Sequence, residues 1–244
     1  MTSLTIDLSK PIELSHTAIP EEEEYHLEID ARFTEEWPQF EKYERADDAW
    51  YIISEVTLNT HCSTHIEFPY HHFRDGADAA EFPVERLVGE GIVLDISRWR
   101  ANNSKITLAD LKEVARDRIR PGNHVFFYTG NDEYYYTGRQ HDRPWFTTEC
   151  IEWLVTRGIG LMGVDTSGHE VRGEDGVSAP GQPNHEVLLG AGIPLVEYLT
   201  NLDALLGRRF ASFVLPVKIS GADAFPVRVV AFEVVDEEAS SEGA

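Results

Sequence analysis

Residues 59–73 are Asn-Thr-His-Cys-Ser-Thr-His-Ile-Glu-Phe-Pro-Tyr-His-His-Phe, a segment that holds four of the ten histidines of the chain. On an extended backbone, alternate side chains point to the same face, so His61, Ser63, His65 and Glu67 would lie side by side. A helix would also bring His61 and His65 together, but it would turn Glu67 away from them, and Pro69 disfavours a helix here. We therefore predict a strand that presents two imidazoles and a carboxylate on one face.

This set of side chains is typical of a hydrolytic metal site, because zinc and manganese accept nitrogen and oxygen ligands and leave one position open for water. A set of thiolate ligands does not compete, since the chain has only two cysteines. The alternative is an exposed, histidine-rich strand end that binds no metal. His72 follows His71 and points the opposite way on an extended backbone, which favours a surface or packing role.

The spacing His61-x-x-x-His65-x-Glu67-x-x-x-His71 resembles the H-x-G-T-H-x-D-x-P-x-H signature of the metal-dependent cyclase family. This family includes bacterial kynurenine formamidases, isatin hydrolases and polyketide-cyclase-like proteins. Family-like segments continue along most of the chain, at residues 6–12, 125–130, 163–166, 184–189, 193–199, 215–218 and 226–228.

The resemblance implies an α/β fold, with a mixed sheet in a swivelling β/β/α, cyclase-like arrangement. We expect a single domain over residues 1–235, followed by an acidic flexible tail at residues 236–244. Members of the family commonly assemble as homodimers or homotetramers, in which loops of one subunit reach the neighbour's site, and the same assembly is expected here.

The resemblance also assigns roles to residues by position. His71 would be the catalytic residue that shuttles protons, and the alternative for it is a fifth metal ligand or an orienting role. Glu197 has some independent support, because it lies in an apolar run where a carboxylate is avoided unless it is paired or bound to metal. The implied ligands of one or two divalent ions, zinc or manganese, are His61, His65, Glu67, His185 and Glu197.

Three positions depart from the family pattern. Glu67 stands where aspartate is usual and carries its carboxylate one methylene further out, which leaves the number of ions open. Ser63 stands where glycine is usual, and its hydroxyl would narrow the pocket or donate a hydrogen bond. Kynurenine formamidases carry a substrate-stacking tryptophan in an early loop, whereas here Thr17–Pro20 is followed by Glu21–Glu24, so an aryl formamide substrate is not favoured.

Several polar and aromatic residues are weaker candidates. His169 lies in a loop expected near the site, where it could contact the substrate, and Asp165 could support that loop through hydrogen bonds. Glu170, beside His169, is expected to face solvent. Trp145 and the three tyrosines at residues 134–136 could stack on a planar substrate, although such aromatics more often pack in a core or an interface.

Composition limits the classes of partner. The net charge of −22 (21 basic and 43 acidic residues) disfavours nucleic acid and anionic membranes, both of which repel an acidic surface. Two cysteines cannot form a disulfide framework, and neither resembles a nucleophile. With no leader-like segment and no apolar run of about 20 residues, a cytoplasmic protein that acts on a small molecule is expected.

Hydrophobic periodicity predicts a mixed α/β chain without repeats. The predicted helices are residues 107–117, opened by a capping box at Thr107 and Asp110, residues 147–156, and residues 199–206. Residues 130–144 and 168–183 are predicted to be loops near the site. The predicted strands are residues 56–58, 91–96, 124–128, 160–164, 193–196, 210–217 and 227–234.

Together these observations predict a metal-dependent amidohydrolase, similar to arylformamidases, that acts on a carbon–nitrogen bond other than a peptide bond. Its substrate would be a small amide, imide or cyclic amide, attacked by a metal-activated water. The alternatives are a lactone hydrolase or cyclase that activates a carbonyl in the same way, and a metal-binding protein without catalytic activity.

Overall fold

The computed structural model describes residues 2–12, 27–33 and 52–235. Three segments that the sequence analysis singled out lie outside the described residues: the glutamate run 21–24, residues 17–20 before it, and the tail 236–244. Within the described part of the chain, no helix is long and apolar enough to cross a membrane.

A mixed sheet forms the centre of the described fold. Its strand order is β1-β13-β11-β5-β7-β9-β10-β4-β12. These strands are β1 (Thr2–Asp7), β4 (His65–Glu67), β5 (Val88–Asp95), β7 (His124–Tyr128), β9 (Leu161–Val164), β10 (Leu195–Glu197), β11 (Arg209–Val214), β12 (Ala224–Pro226) and β13 (Val229–Val235). Two further pairs lie apart from it, β2 (Leu27–Phe33) with β3 (Ile52–Leu58), and β6 (Lys105–Ile106) with β8 (Trp145–Phe146).

Strands β5, β7, β9 and β10 run parallel, whereas β4 pairs antiparallel with β10. The carboxyl ends of β7, β9 and β10 therefore meet at one edge of the sheet, where α/β proteins usually build their sites. Because β4 runs the opposite way, its first residue, His65, lies at this same edge. The sheet thus brings the histidine-rich stretch next to the loops that follow three parallel strands.

Both faces of the parallel strands are buried. Along β5, Val93 packs in one core cluster while Ile92 and Leu94 pack in another, and β7 alternates in the same way. Strands buried on both faces appear in sequence as continuous apolar runs, which is why these strands were recognisable. The second cluster is covered by α1 (Leu108–Ala115) and α2 (Thr148–Thr156).

Two helix predictions are confirmed in position and one is wrong. Helix α1 begins after the expected capping box, in which Thr107 accepts from the amide of Asp110 and the Asp110 carboxylate accepts from the amide of Thr107. The predicted helix at residues 199–206 is wrong, because Leu199 donates its amide to Val164 instead of starting a helix, and only Leu202–Leu205 forms a 3₁₀ turn. An unpredicted helix, α3 (Pro183–Gly190), carries His185.

His124, the first residue of β7, makes the stability of the fold depend on pH. It is 1% exposed, with Nδ1 2.7 Å from the Ser212 hydroxyl and Nε2 3.2 Å from the carbonyl of Arg86. Burial lowers the pKa of His124 to about 4, whereas the pKa of a histidine in the unfolded chain is near 6.5. The neutral His124 therefore contributes its full stabilisation of the fold above about pH 6.5, and this contribution is lost as the pH falls toward 4.

We expect His124→Gln to remove this pH dependence. When the pH is lowered from 7 to 5, the free energy of unfolding of the wild type should fall by about 2 kcal/mol more than that of the variant. This value follows from about 1.36 kcal/mol for each pKa unit between the folded and unfolded states. Urea unfolding of the chelator-treated proteins at both pH values measures the difference, with His72→Gln as a partly exposed control. Parallel pH profiles for wild type and His124→Gln would show that His124 does not contribute.

Candidate metal centre and catalytic cleft

The stretch 59–73 is only partly a strand. β4 covers His65–Glu67, and these residues pair with β10 on one side and β12 on the other, with His65 opposite Glu197. The predicted strand is therefore too long, because residues 61–64 form a turn in which Cys62 donates its amide to the carbonyl of Asn59. His65 and Glu67 share a face as expected, and His61 reaches the same place through the turn.

Ser63 does not face the imidazoles, contrary to the prediction. Its φ is +58°, a left-handed conformation that costs about 1–2 kcal/mol for a residue with a side chain, which accounts for glycine being usual here. The hydroxyl turns away and donates to the carbonyl of Lys10 at 2.9 Å. Ser63 therefore ties the turn to the amino-terminal segment.

Three donor atoms of this stretch form a compact triangle. His61 Nδ1 lies 3.2 Å from His65 Nε2 and 3.1 Å from Glu67 Oε1, and His65 Nε2 lies 3.4 Å from the same oxygen. Two ligands of one tetrahedral zinc ion are separated by about 3.3 Å, given metal–ligand distances near 2.0–2.1 Å. The triangle therefore has the dimensions of three ligands around one ion.

Each imidazole of the triangle has its other nitrogen fixed by a neighbouring acceptor. His65 Nδ1 lies 2.9 Å from the carbonyl of Ser63, and His61 Nε2 lies 3.0 Å from Asp223 Oδ2. These acceptors hold the proton on the outer nitrogen and turn the lone pair of the inner nitrogen toward the centre. This is the tautomer that a metal requires.

Asp223, which the sequence analysis missed, also contacts His71. Its Oδ2 lies 2.9 Å from His71 Nδ1, and its Oδ1 accepts from the hydroxyl of Thr60 at 3.1 Å. Hydrogen bonds from His61 and His71 hold the pKa of Asp223 well below its usual range. His71 is the last residue of the 3₁₀ turn Pro69–His71, and its ring centroid lies 4.5 Å from that of His61.

A second group of donors lies beside the triangle. Donor atoms of His169, His185 and Glu197 all lie within 4.8 Å of one another, and all three residues are buried. Glu67 stands between the two groups, because its Oε1 belongs to the triangle while its Oε2 lies 3.4 Å from His185 Nε2. Oε2 is buried and has no hydrogen-bond partner among the described residues.

Glu170 is buried, contrary to the prediction that it faces solvent, and it positions His185. Its carboxylate accepts from the amides of Asn184 and His185 in the first turn of α3, where negative charge is favoured. It also lies 2.9 Å from His185 Nδ1, which leaves His185 Nε2 facing the donor group. The loop thus fixes both the helix and its histidine.

Gly168 allows Glu197 to take its place. Its φ is +98°, and a Cβ there would lie 2.6 Å from Glu197 Oε1. Burial, followed by repulsion from Glu67, raises the pKa of Glu197. For Glu67, burial acts in the same direction but is outweighed by contacts with His185, His61 and His65, which hold its pKa well below the usual range.

The imidazoles respond differently to this environment. Burial opposes protonation of His61 and His185, but contacts with Asp223 and Glu67 raise the pKa of His61 to about 10, and contacts with Glu170 and Glu67 raise that of His185 to about 10. A positive charge, whether a proton or a metal ion, is therefore favoured between these side chains and the carboxylates.

His169 is an exception, because it is fully buried and neither ring nitrogen has a hydrogen-bond partner among the described residues. Burial lowers its pKa to about 3, so the imidazole is neutral. An unpaired buried polar group costs about 1–3 kcal/mol. The fold nevertheless holds it in place, since the Asn184 side chain donates to the carbonyl of His169 at 2.9 Å.

The triangle opens into a cleft of about 350 Å³, a size suited to a small molecule. His71 and Glu197 line one part of it, and His141, Ser167 and Tyr198 line another. The hydroxyl of Ser167 is buried and has no hydrogen-bond partner among the described residues. It is therefore able to bind a polar group of a ligand.

The remaining candidates do not line the cleft. Asp165 accepts from the amides of Thr129 and Gly130, so it joins the loops after β7 and β9, and burial raises its pKa to about 7. Tyr135 packs edge-on against Tyr198 at 4.8 Å and so supports the cleft wall. Trp145 does not line the cleft, and its indole nitrogen donates to the carbonyl of Asn103.

The family model described as putative cyclase matches residues 6–171, about two-thirds of the chain. The chain belongs to this cyclase family. The match includes the whole histidine-rich stretch, and it confirms the resemblance inferred from His61, His65, Glu67 and His71.

Members and structural neighbours of the cyclase family agree with this assignment. The chain is 28% identical over 199 residues to a kynurenine formamidase of Erythrobacter litoralis, covering 81% of this chain and 85% of the relative. A solved structure of a potential metal-dependent hydrolase with cyclase activity shares 25% identity and a TM-score of 0.73, covering 96% of this chain and 100% of that chain. Isatin hydrolase A from Ralstonia solanacearum, at 22% identity and a TM-score of 0.76 over 95% of this chain and 92% of that chain, shares the fold. The predicted cyclase-like fold is confirmed.

Proposed function

We propose that this chain is a metal-dependent amidohydrolase that cleaves the carbon–nitrogen bond of a small amide, imide or cyclic amide with water. The kynurenine formamidase relative confirms the predicted class, hydrolysis of a carbon–nitrogen bond outside peptides.

The donor triangle is the observation that carries the proposal. Separations of 3.1–3.4 Å between His61 Nδ1, His65 Nε2 and Glu67 Oε1 match three ligands of one ion. Outer acceptors fix both imidazoles in the metal-binding tautomer. Nitrogen and oxygen donors without a thiolate suit zinc or manganese, and we propose one of these ions.

A divalent ion held there would lower the pKa of water toward neutrality and polarise the substrate carbonyl. His71 lines the same cleft, and its Nδ1 is held by Asp223, which leaves Nε2 as the proton acceptor. His71 would take a proton from the attacking water and return it to the leaving nitrogen as the carbon–oxygen bond forms and the carbon–nitrogen bond breaks. Ser167 would donate a hydrogen bond to the substrate.

The size of the cleft favours a compact substrate. Its volume of about 350 Å³ is at the lower end for small-molecule sites, and Tyr198 offers it an aromatic wall. A cyclic amide or imide fits such a cleft with few rotatable bonds to immobilise. We therefore propose a cyclic amide or imide ahead of an open-chain aryl formamide.

The predicted homodimeric or homotetrameric assembly, the cytoplasmic location and the absence of nucleic-acid or membrane partners stay predictions. The net charge of −22 is what supports the expectation about nucleic acid and anionic membranes.

A substrate panel tests the proposed function. The protein is stripped with a chelator, reloaded with zinc or manganese, and assayed on an aryl formamide, a cyclic amide, a cyclic imide and a lactone with the same ring. We expect metal-restored hydrolysis in which the best nitrogen substrate exceeds the matched lactone in kcat/KM by about tenfold or more. A preference for the lactone would favour the lactone hydrolase, and metal binding without any turnover would favour the non-catalytic alternative.

A further inference from the structure

The lining of the cleft differs from that of most small-molecule sites, which consists mainly of hydrophobic and aromatic side chains. Among the described residues that line this cleft, none has an aliphatic side chain, and Tyr198 is the only one with a benzene ring. The other lining side chains are imidazoles, a carboxylate, an amide and a hydroxyl. A substrate with a large hydrocarbon surface, such as a benzo-fused ring, would therefore gain little from this lining.

Tyr198 is held firmly in the cleft wall. Its ring packs edge-on against Tyr135 with the centroids 4.8 Å apart, and its carbonyl accepts from the hydroxyl of Thr64 at 2.6 Å. Its amide donates to the carbonyl of Thr166 at 3.0 Å. A ring that is already fixed loses little entropy when a ligand stacks on it. Tyr198 therefore offers a flat surface to one compact planar ring.

Two side chains of the lining offer hydrogen-bond donors to a ligand. The hydroxyl of Ser167 is buried and has no partner among the described residues. Asn59 uses its side-chain oxygen to accept from the amide of His61 at 2.8 Å, which leaves its NH₂ group for a ligand. Both groups donate, so a carbonyl oxygen is the group that matches them. Neither belongs to the triangle, so this carbonyl is separate from the one that is hydrolysed.

The loop after β9 fixes the position of Ser167. Thr166, the residue before it, donates its hydroxyl to the carbonyl of Gly168, the residue after it, at 2.9 Å. Gly168 in turn lies against Glu197, since a Cβ there would be 2.6 Å from Glu197 Oε1. A donor held in this way discriminates between ligands, because a ligand without a matching acceptor leaves it unpaired.

We infer that the substrate is a compact cyclic imide without a fused aromatic ring, and that Ser167 and Asn59 determine this specificity by binding its second carbonyl. The inference rests on the proposed function, which places the first carbonyl at the triangle. Water adds to the first carbonyl carbon, and the bond from this carbon to the ring nitrogen breaks. The opened chain carries a carboxylic acid at one end and a primary amide at the other, so one water is consumed for each ring.

A comparison of three ring substrates tests the inference. The metal-loaded protein is assayed on a five-membered saturated imide, on the same imide fused to a benzene ring, and on the lactam of the same ring size, which lacks the second carbonyl. We expect kcat/KM on the saturated imide to exceed that on the benzo-fused imide by about tenfold or more. Equal values, or a preference for the benzo-fused imide, would overturn the inference.

Ser167→Ala removes one of the two donors and tests its role directly. This variant should lower kcat/KM on the saturated imide by about tenfold or more and on the lactam by less than about threefold, because the lactam has no second carbonyl. Asn59→Asp keeps the acceptor for the His61 amide but removes the NH₂ donor, so it should show the same selective loss with unchanged metal content. Ser220→Ala changes an exposed serine outside the cleft and should affect neither substrate. Equal losses on imide and lactam in Ser167→Ala would make Ser167 a structural residue and refute its role.

Binding measurements separate this inference from the proposed function. His71→Gln, which should turn over substrate very slowly, is loaded with metal and titrated with the saturated imide and the lactam by calorimetry. When Ser167→Ala is added, the dissociation constant of the imide should rise about tenfold and that of the lactam should stay the same. This pattern in a protein that hydrolyses no nitrogen substrate would refute the proposed function and keep the recognition of the second carbonyl. Imide hydrolysis without this pattern would keep the proposed function and refute the inference.

Discussion

Replacing His65 with alanine is expected to abolish metal binding in the triangle and to lower kcat/KM on the best amide by 10³-fold or more, on the order of the several kcal/mol that a catalytic ion supplies. His65 is 1% exposed, and its Nε2 lies 3.2 Å from His61 Nδ1 and 3.9 Å from Glu197 Oε2. It therefore touches both donor groups. Metal content per chain and steady-state kinetics measure the two effects.

The comparison needs a control for folding, because alanine leaves a cavity and removes the donor to the Ser63 carbonyl. His65→Gln keeps most of the volume and should lose the ion equally. His72→Ala removes a histidine seven positions along the chain whose ring packs against Phe73 outside the cleft, and it should retain metal and activity. A folded His65→Gln with wild-type metal content would show that the triangle is not the metal site.

The sequence predicted those helices and strands in which the local pattern of apolar and capping residues matches the burial of the element in the fold. Strand β7 matches its predicted bounds, because both of its faces are buried and the residues inside it, 125–127, are all apolar. Helix α1 follows its capping box. The predicted helix at residues 199–206 failed because its apolar residues serve the sheet and a 3₁₀ turn, which is an effect of tertiary packing that periodicity does not contain.

Helix α3 was missed although the sequence carried a signal for it. Pro183 occupies the first turn, the position that proline favours, and Gly192 follows the helix end with a φ of +71°. The helix has only eight residues, and the side chain that caps it belongs to Glu170, thirteen residues before Pro183 in the chain. A cap that comes from elsewhere in the chain leaves no local pattern.

The candidate site was predictable for those residues whose positions follow from their spacing along a strand. The period of two placed His65 and Glu67 together, whereas His61 joined them through a turn that a strand pattern does not describe. Asp223 was missed because it lies 162 residues beyond His61 and no pattern surrounds it. Its position follows only from β12 pairing beside β4.

The burial of His169 and Glu170 was equally invisible in the sequence. Glu170 was expected to face solvent and His169 to contact a substrate, and nothing local shows that the loop after β9 passes beneath α3. Only the assembled fold reveals that these residues enclose a cluster of donors.

Replacing His71 with glutamine is expected to lower kcat by about 10²–10⁴-fold while the metal content stays at the wild-type level. His71 contributes no atom to the triangle, and Asp223 would still hold His61 after the change. The metal site should therefore survive, and only proton transfer should be lost. His72→Gln changes the adjacent histidine and should leave kcat unchanged.

The size of the loss should depend on the leaving group. If His71 returns a proton to the leaving nitrogen, amides whose amine departs easily need that proton less, so His71→Gln should impair them less than amides with a basic leaving amine. A series of substrates that differ only in leaving amine measures this dependence. Asp223→Asn should show the same trend with a smaller loss, because it removes the charge that orients His71 but keeps the imidazole. A His71→Gln variant that loses its metal along with its activity would instead make His71 a ligand, and an equal loss across the whole series would rule out its role as the acid.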